Sequence, residues 1–165
     1  MIRWEMEGHL FLFLTPSEAE LYQQKEPLFG QEVEDHFSLA SFDIAESGKC
    51  LALSRGTACI MHLMRVLEFG LNVLANELGV RFERREWENV INDIEVAVKL
   101  INGPHVGTEW REKQKFYSEA AKDFRYFKNA WRNHAMHARE RYDASEAKLI
   151  FEHVKSFMHH LATGR

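Results

Sequence analysis

The sequence predicts an all-α protein, an antiparallel bundle of four to five helices preceded by a short N-terminal arm. Apolar residues recur every three or four positions along most of the chain, and residues typical of helix starts and ends delimit these segments. No convincing strand pattern or internal repeat interrupts the series. A length of 165 residues suits one domain. We assign the bundle to residues 31–165 and the arm to residues 1–30.

The arm contains one predicted helix. Thr15-Pro16-Ser17-Glu18 has the form of a capping box with a proline in the first helical turn, so a short helix should begin there and end near Lys25. Residues 10–14 are apolar and can be extended. Pro27 and Gly30 end the arm.

The predicted bundle helices span residues 31–47, about 51–78, 87–101 and about 110–138, and the last one follows residue 143. Gly48 and Gly79 supply the expected stops of the first two. The second helix is apolar on nearly all sides, which predicts a central position. Asp143-Ala144-Ser145-Glu146 is a second capping-box-like start. Short loops favour antiparallel neighbours.

The charge pattern is asymmetric along the chain. The net charge is -4, which argues against nucleic-acid binding over the whole surface. The segment from Arg111 to Arg141, however, has nine Lys and Arg against four acidic residues. This local excess favours an anionic partner, although solvated faces of charged helices explain it equally well.

Composition also limits the compartment. No secretory signature is present, and no apolar stretch approaches the roughly 20 residues that span a bilayer. Cys50 and Cys59 are therefore expected to be reduced, and we expect a cytoplasmic protein with no membrane segment.

The strongest motif lies at the junction of the last two predicted helices. The sequence Trp131-Arg132-Asn133-His134-Ala135-Met136-His137 has the pattern R-N-x-x-x-H and is followed by a capped amphipathic helix. This arrangement resembles the HEPN superfamily, whose signature is an Arg followed four to six residues later by a His near the end of a small helical bundle. Arg3 with His9 and Arg55 with His62 fit the bare spacing too. Only the third match combines an adjacent Asn, a position before the last helix and local positive charge.

The resemblance implies a fold that usually dimerises and, in many members, cleaves RNA without a metal ion or cofactor. In that chemistry Arg132 stabilises charge on the phosphate, His137 acts as acid or base, and Asn133 positions the substrate. The residue types suit these roles, because His titrates near neutrality and Arg offers a permanent, fork-shaped charge. A two-fold dimer would supply two such histidines, one as base and one as acid.

Helical geometry constrains the motif. At 100° per residue, Tyr126, Asn133 and His137 share one face, whereas Arg132 and His137 are about 140° apart. Their convergence requires the long Arg side chain, a local kink or a neighbouring subunit. The alternative is that Arg132 pairs with a carboxylate and His137 packs at the end of the bundle.

A second polar set lies on the predicted central helix. His62, Arg65, Glu68 and Asn72 are spaced by three, three and four residues and share one side. We expect Arg65 and Glu68 to form a buried ion pair at i, i+3. The alternative is that this stripe lines the motif cleft and orients Arg132 or His137.

Other kinds of site have less support. The histidines at 134, 137, 153, 159 and 160 raise the possibility of a metal site, but no Cys or carboxylate spacing supports it, so we predict no metal. Phosphate-binding glycine loops and a G-x-S-x-G elbow are missing from the sequence. Cys59 lies within the apolar helix and is expected to be structural.

The sequence thus predicts a HEPN-like endoribonuclease acting on single-stranded RNA as a homodimer, in the manner of a toxin or a stress or phage-defence effector with an antitoxin or other protein partner. The alternative is a non-catalytic helical module that dimerises or binds a protein or ligand. The overall acidity favours this alternative, because it weakens RNA capture.

Overall fold

The computed structural model describes residues 9, 11–83, 86–100, 108–136 and 141–164, and describes only the backbone of residues 108–110 and 136. Within these ranges all regular structure is helical, which confirms the predicted fold class. In chain order the α-helices are α1 Pro16–Gln23, α2 Gln31–His36, α3 Ser41–Ala52, α4 Gly56–Glu77, α5 Trp87–Leu100, α6 Thr108–Phe127, α7 Asn133–Met136 and α8 Ala144–Thr163.

Two helix starts have the predicted capping boxes. At α1 the Thr15 N–H donates to Glu18 Oε2 (2.7 Å), and the Glu18 N–H donates to Thr15 Oγ1 (3.4 Å). At α8 the N–H groups of Ser145 and Glu146 donate to Asp143 Oδ1 at 2.8 and 2.9 Å. These bonds satisfy backbone donors that the first helical turn leaves without partners.

The prediction of one helix over residues 31–47 is wrong. The chain bends at Phe37 (φ -126°, ψ 44°), passes through the 3₁₀ turn Ser38–Ala40 and continues as α3. The two parts pack on different partners, α2 against α8 and α3 mainly against α4. A straight helix could not serve both contacts, so the bend buries Phe37 and Ala40 at the junction.

Gly48 does not end a helix but lies inside α3. A Cβ atom there would lie 2.4 Å from Leu28 Cδ1 and 3.1 Å from the Leu21 carbonyl, so the glycine permits the close approach of α1 and the turn after it. The central helix begins at Gly56, not near residue 51 as predicted. Gly79, with φ +68°, follows its end as predicted.

Hydrogen bonds and close packing between helices define the helix directions. The Tyr142 N–H, just before α8, donates to Thr57 Oγ1 near the start of α4 (3.0 Å), and Gly70 further along α4 packs against Met158 of α8. The helices α4 and α8 are therefore parallel. Contacts between Arg125 and Glu88 and between Gln114 and Val98 make α5 and α6 antiparallel.

The chain does not turn directly from α4 into α5. Phe82 lies in one groove with Arg65, Phe69 and Asn72, so the segment after Gly79 runs back beside α4. This return brings the start of α5 to the end of the bundle where α6 finishes.

One hydrophobic core extends through the bundle. Its largest fully buried side chains include Trp87, Phe124, Phe151 and Ile60. Part of the predicted arm belongs to this core, since Phe29 stacks edge-on against Phe151 with ring centroids 5.2 Å apart. The helix α1 has no buried residue and is attached to α3 by a hydrogen bond from Gln24 Nε2 to the Ala45 carbonyl (2.6 Å).

Contrary to the expectation that no apolar stretch approaches the length of a membrane span, the central helix α4 is the one described helix whose length and composition would suit one. Within the fold 56% of that stretch is buried. Its apolar character is accounted for by its position in the core, against which α3 and α8 both pack.

Candidate functional site

The motif segment begins with an irregular turn. Residues Lys128–Arg132 form a π-helical turn between α6 and α7, in which the Asn133 N–H reaches back five residues to the Lys128 carbonyl. The chain is thus helical without a break from residue 108 to residue 136, as predicted, but contains one π turn, and the predicted residues 137 and 138 lie outside the described ranges. Single π turns within α-helices occur frequently at functional sites.

Arg132, the last residue of this turn, stacks on an aromatic ring. Its Cζ lies 5.0 Å from the ring centroid of Trp87, the first residue of α5. The side chain is half-buried and makes no ion pair or hydrogen bond with any residue in the described part of the chain. Among those residues, the alternative that Arg132 pairs with a carboxylate is therefore wrong, and none of them neutralises its charge.

The other motif residues differ in what the structure describes. Asn133 follows Arg132 directly and is exposed at the start of α7. His137 lies outside the described residues.

Tyr126 and Asn133 do not share one helix face, in contrast to the prediction. The extra residue in the π turn rotates the helix after it by about 100° relative to α6. The Tyr126 ring is 57% exposed and contacts the rings of Phe127 and Trp131, with centroids 5.9 and 5.5 Å away. It therefore belongs to an aromatic cluster beside the turn.

The basic excess of the motif segment is partly neutralised by α5. Arg125 binds Glu88 (2.6 Å) and Glu95 (2.9 Å), and Lys128 also binds Glu88. Hydrogen bonds from Lys128 and Arg125 lower the pKa of Glu88, and the bond to Glu95 raises the pKa of Arg125. Two of the basic residues counted in the sequence thus have acidic partners in α5, which the linear charge pattern did not reveal.

Two members of the second polar set, His62 and Arg65, meet on a residue that was not predicted from the sequence. Asp43 of α3 is only 2% exposed, and its Oδ1 accepts hydrogen bonds from His62 Nδ1 and Arg65 Nε, each at 2.8 Å. The bond to Asp43 raises the pKa of Arg65. The expected buried pair of Arg65 with Glu68 is wrong, because both side chains are exposed and Arg65 turns to Asp43 instead.

A sequence signal for Asp43 was available. Ala40, Asp43, Ser47 and Leu51 follow helical spacing, and all four are buried. Locating the start of α3 at Ser41 would have placed Asp43 on this inner face.

Glu68 and Asn72, the other two members of the polar set, line a groove next to Arg65. Arg65, Glu68, Phe69, Asn72 and Phe82 line about 250 Å³ of space along α4. The structure thus brings His62 and Arg65 together on Asp43 and places Glu68 next to Arg65. Arg132 lies instead on Trp87.

The three histidines of α8 are dispersed along that helix. His153 stacks near Trp131 (6.0 Å), His159 lies 4.0 Å from Glu32, and His160 contacts the ring of Phe116. In the part of the chain that the structure describes, no group of three or more His, Cys, Asp or Glu side chains could hold a metal ion.

Cys59 is buried in the central helix. Burial raises the pKa of its thiol to about 12, so the thiolate needed for nucleophilic attack is scarce at neutral pH. This environment agrees with the structural role expected from the sequence.

Comparisons with protein-family models, with curated proteins and with solved structures find no match to this chain. The assignment of a function therefore depends on the chemistry of the residues themselves.

Proposed function

We propose that this chain is a HEPN-like, metal-independent endoribonuclease that acts on single-stranded RNA. The observation that carries the proposal is the state of Arg132: a half-buried guanidinium, stacked on Trp87, that has no acidic partner within the described ranges. A stacked arginine keeps its N–H edges free, and its fork geometry matches the oxygens of a phosphodiester.

The proposed reaction is attack by the 2′-hydroxyl of the RNA on the adjacent phosphorus. A base removes the hydroxyl proton, the P–O bond to the leaving 5′-oxygen breaks, and an acid protonates that oxygen. Arg132 stabilises the charge on the phosphate oxygens, His137 exchanges the proton, and Asn133 holds the substrate beside them. Such a reaction needs no metal ion or cofactor.

A homodimer completes this proposal. Each chain supplies one motif histidine, whereas the reaction uses a base and an acid at the same time. Two copies related by a two-fold axis would contribute both. A cytoplasmic toxin or defence effector controlled by an antitoxin or another protein partner would use such a site.

The test is cleavage of single-stranded RNA by the purified protein in the presence of a chelator. We expect wild type to cleave and Arg132→Ala and His137→Ala to lose about 100-fold or more in rate. Lys113→Ala serves as the matched control, because it removes an exposed cation of the same segment outside the motif. If His137→Ala gives the same products as wild type, or if no RNA is cleaved, the nuclease proposal fails.

A second candidate is a non-catalytic module that dimerises or binds a protein or ligand. The observation that favours it is the neutralisation of Arg125 and Lys128 by acidic residues of α5, which weakens the positive potential near the motif. Overexpression separates the two candidates. Growth arrest relieved by His137→Ala supports the nuclease, whereas a harmless protein that co-purifies with one defined partner supports the module.

A further inference from the structure

The first turn of α5 contacts both ends of the π turn. Glu88 accepts hydrogen bonds from Lys128, the first residue of the turn, and from Arg125 just before it. Trp87 lies under the guanidinium of Arg132, the last residue of the turn. Two consecutive residues of α5 thus hold the irregular segment that carries the candidate phosphate-binding cation.

The ring face of Trp87, and not its N–H group, accounts for tryptophan at this position. The residue is 1% exposed, and its buried Nε1 has no hydrogen-bond partner in the described part of the chain. An unsatisfied buried N–H costs free energy that phenylalanine would avoid. The indole face, however, attracts a guanidinium more strongly than any other aromatic side chain.

The surroundings keep this ring in place. The Trp87 ring packs edge-on against Phe124 of α6, with centroids 6.2 Å apart and an angle of 85° between the rings. Phe124 in turn packs edge-on against Phe157 of α8 at 4.9 Å. The platform under Arg132 is therefore part of the rigid core, although Arg132 itself is only half-buried.

We propose that Trp87 and Glu88 are positioning residues for Arg132. Glu88 fixes the start of the π turn through Lys128, and Trp87 fixes the guanidinium above its ring. Neither residue touches the RNA. The importance of this placement for cleavage rests on the proposed function, whereas the placement itself can be measured without RNA.

The first experiment measures the proton resonances of the Arg132 side chain by NMR in Trp87→Phe, Trp87→Leu and Glu88→Gln. Ring currents should shift these protons upfield in wild type, less so in Trp87→Phe and Glu88→Gln, and not at all in Trp87→Leu. Phe151→Leu is the matched control, because it removes an equally buried ring that stacks on Phe29 instead of Arg132. An unchanged Arg132 shift in Trp87→Leu would overturn the proposed placement.

The second experiment measures single-turnover cleavage of RNA over a range of protein concentrations. Trp87→Leu should lower the maximal rate about tenfold with little change in the half-saturating concentration, and Trp87→Phe should restore most of it. Phe151→Leu should lower stability without this loss of rate. Wild-type rates in Trp87→Leu, despite a lost ring-current shift, would overturn the positioning role.

Two further outcomes are distinguishable. If wild type cleaves no RNA, the proposed function fails, while the NMR shifts still decide whether Trp87 and Glu88 place Arg132. If Trp87→Leu does not fold, Trp87→Phe and Glu88→Gln decide, and wild-type shifts and rates in both would overturn the proposal.

Discussion

A single buried carboxylate, Asp43, connects α3 to two side chains of the central helix. The donors His62 Nδ1 and Arg65 Nε share one acceptor oxygen, and the side chains of these residues are 27% and 63% exposed. If Asp43 is lost, water can hydrate the two donors, and this reduces the loss in the free energy of unfolding. The cluster is therefore best understood as a link between two helices.

Asp43→Asn should destabilise the protein by about 1 to 2 kcal/mol, because hydrogen bonds to a charged acceptor are replaced by weaker neutral ones. Urea unfolding at neutral pH measures the change. Glu46→Gln is the control, since it removes an exposed i, i+3 surface ion pair with Lys49 and should cost clearly less than Asp43→Asn. Equal destabilisation of the two variants would contradict the assigned role of Asp43.

The sequence identified His62 and Arg65 as a pair of neighbours but not their partner. Local spacing proposes partners three or four residues away, such as Glu68, whereas Asp43 is 22 residues from Arg65 in the chain. Only the packing of α3 on α4 brings them together. The prediction of partners that are distant in the chain requires correct helix boundaries, and the sequence did not reveal the start of α3 at Ser41.

At the scale of elements, helix starts were predictable where a side chain caps them. Thr15 and Asp143 form the capping boxes that the sequence indicates. The bend at Phe37 and the π turn were not predictable in this way, because no capping side chain marks either of them. The buried residues Phe124 and Phe127 still follow ordinary helical spacing just before the turn begins.

The contact between α5 and the π turn should weaken in acid. Hydrogen bonds from Lys128 and Arg125 hold the pKa of Glu88 below its ordinary value of 4.5. The stability that Glu88 contributes is therefore complete above that value and is lost as the pH falls through the lowered pKa. Wild type and Glu88→Gln should differ by less than about 1 kcal/mol at neutral pH, because Glu88 is 41% exposed, and should converge once the pH falls below the lowered pKa of Glu88. A difference that stays constant across this range in urea unfolding would argue against the Glu88 contact.

The crossing of α4 and the start of α8 depends on Gly56. A Cβ atom there would lie 2.3 Å from the Tyr142 carbonyl oxygen and 2.4 Å from that of Asp143, and backbone atoms cannot move aside cheaply. Gly56→Ala should therefore destabilise by about 1 to 3 kcal/mol. Gly70→Ala is the control in the same helix, because its nearest neighbour is the flexible Met158 side chain at 3.1 Å. If both variants unfold at the same urea concentration, Gly56 is not the constraint.

At the scale of the whole molecule, the core joins segments that the sequence divided. The predicted boundary at residue 30 separates Phe29 from the bundle, yet Phe29 is buried against Phe151 of the last helix. The hydrophobic pattern of the arm is too short to reveal this contact. What the pattern did predict is the central role of α4, whose residues Leu63, Leu67 and Leu71 are fully buried.

The distribution of burial predicts an order of local stability. Of the residues in α4, eleven are buried, whereas α1 has none and depends on a few contacts with α3 such as the bond from Gln24 to Ala45. Opening α1 exposes little apolar surface, while opening α4 disrupts the entire core. Native-state hydrogen exchange should therefore show fast exchange at the amides of α1 and, at the amides from Ile60 to Leu74, protection that approaches the free energy of global unfolding, about 5 to 15 kcal/mol for a domain of this kind. Equal protection of both helices would mean that α1 unfolds only with the core, and the arm would then be an integral part of the bundle.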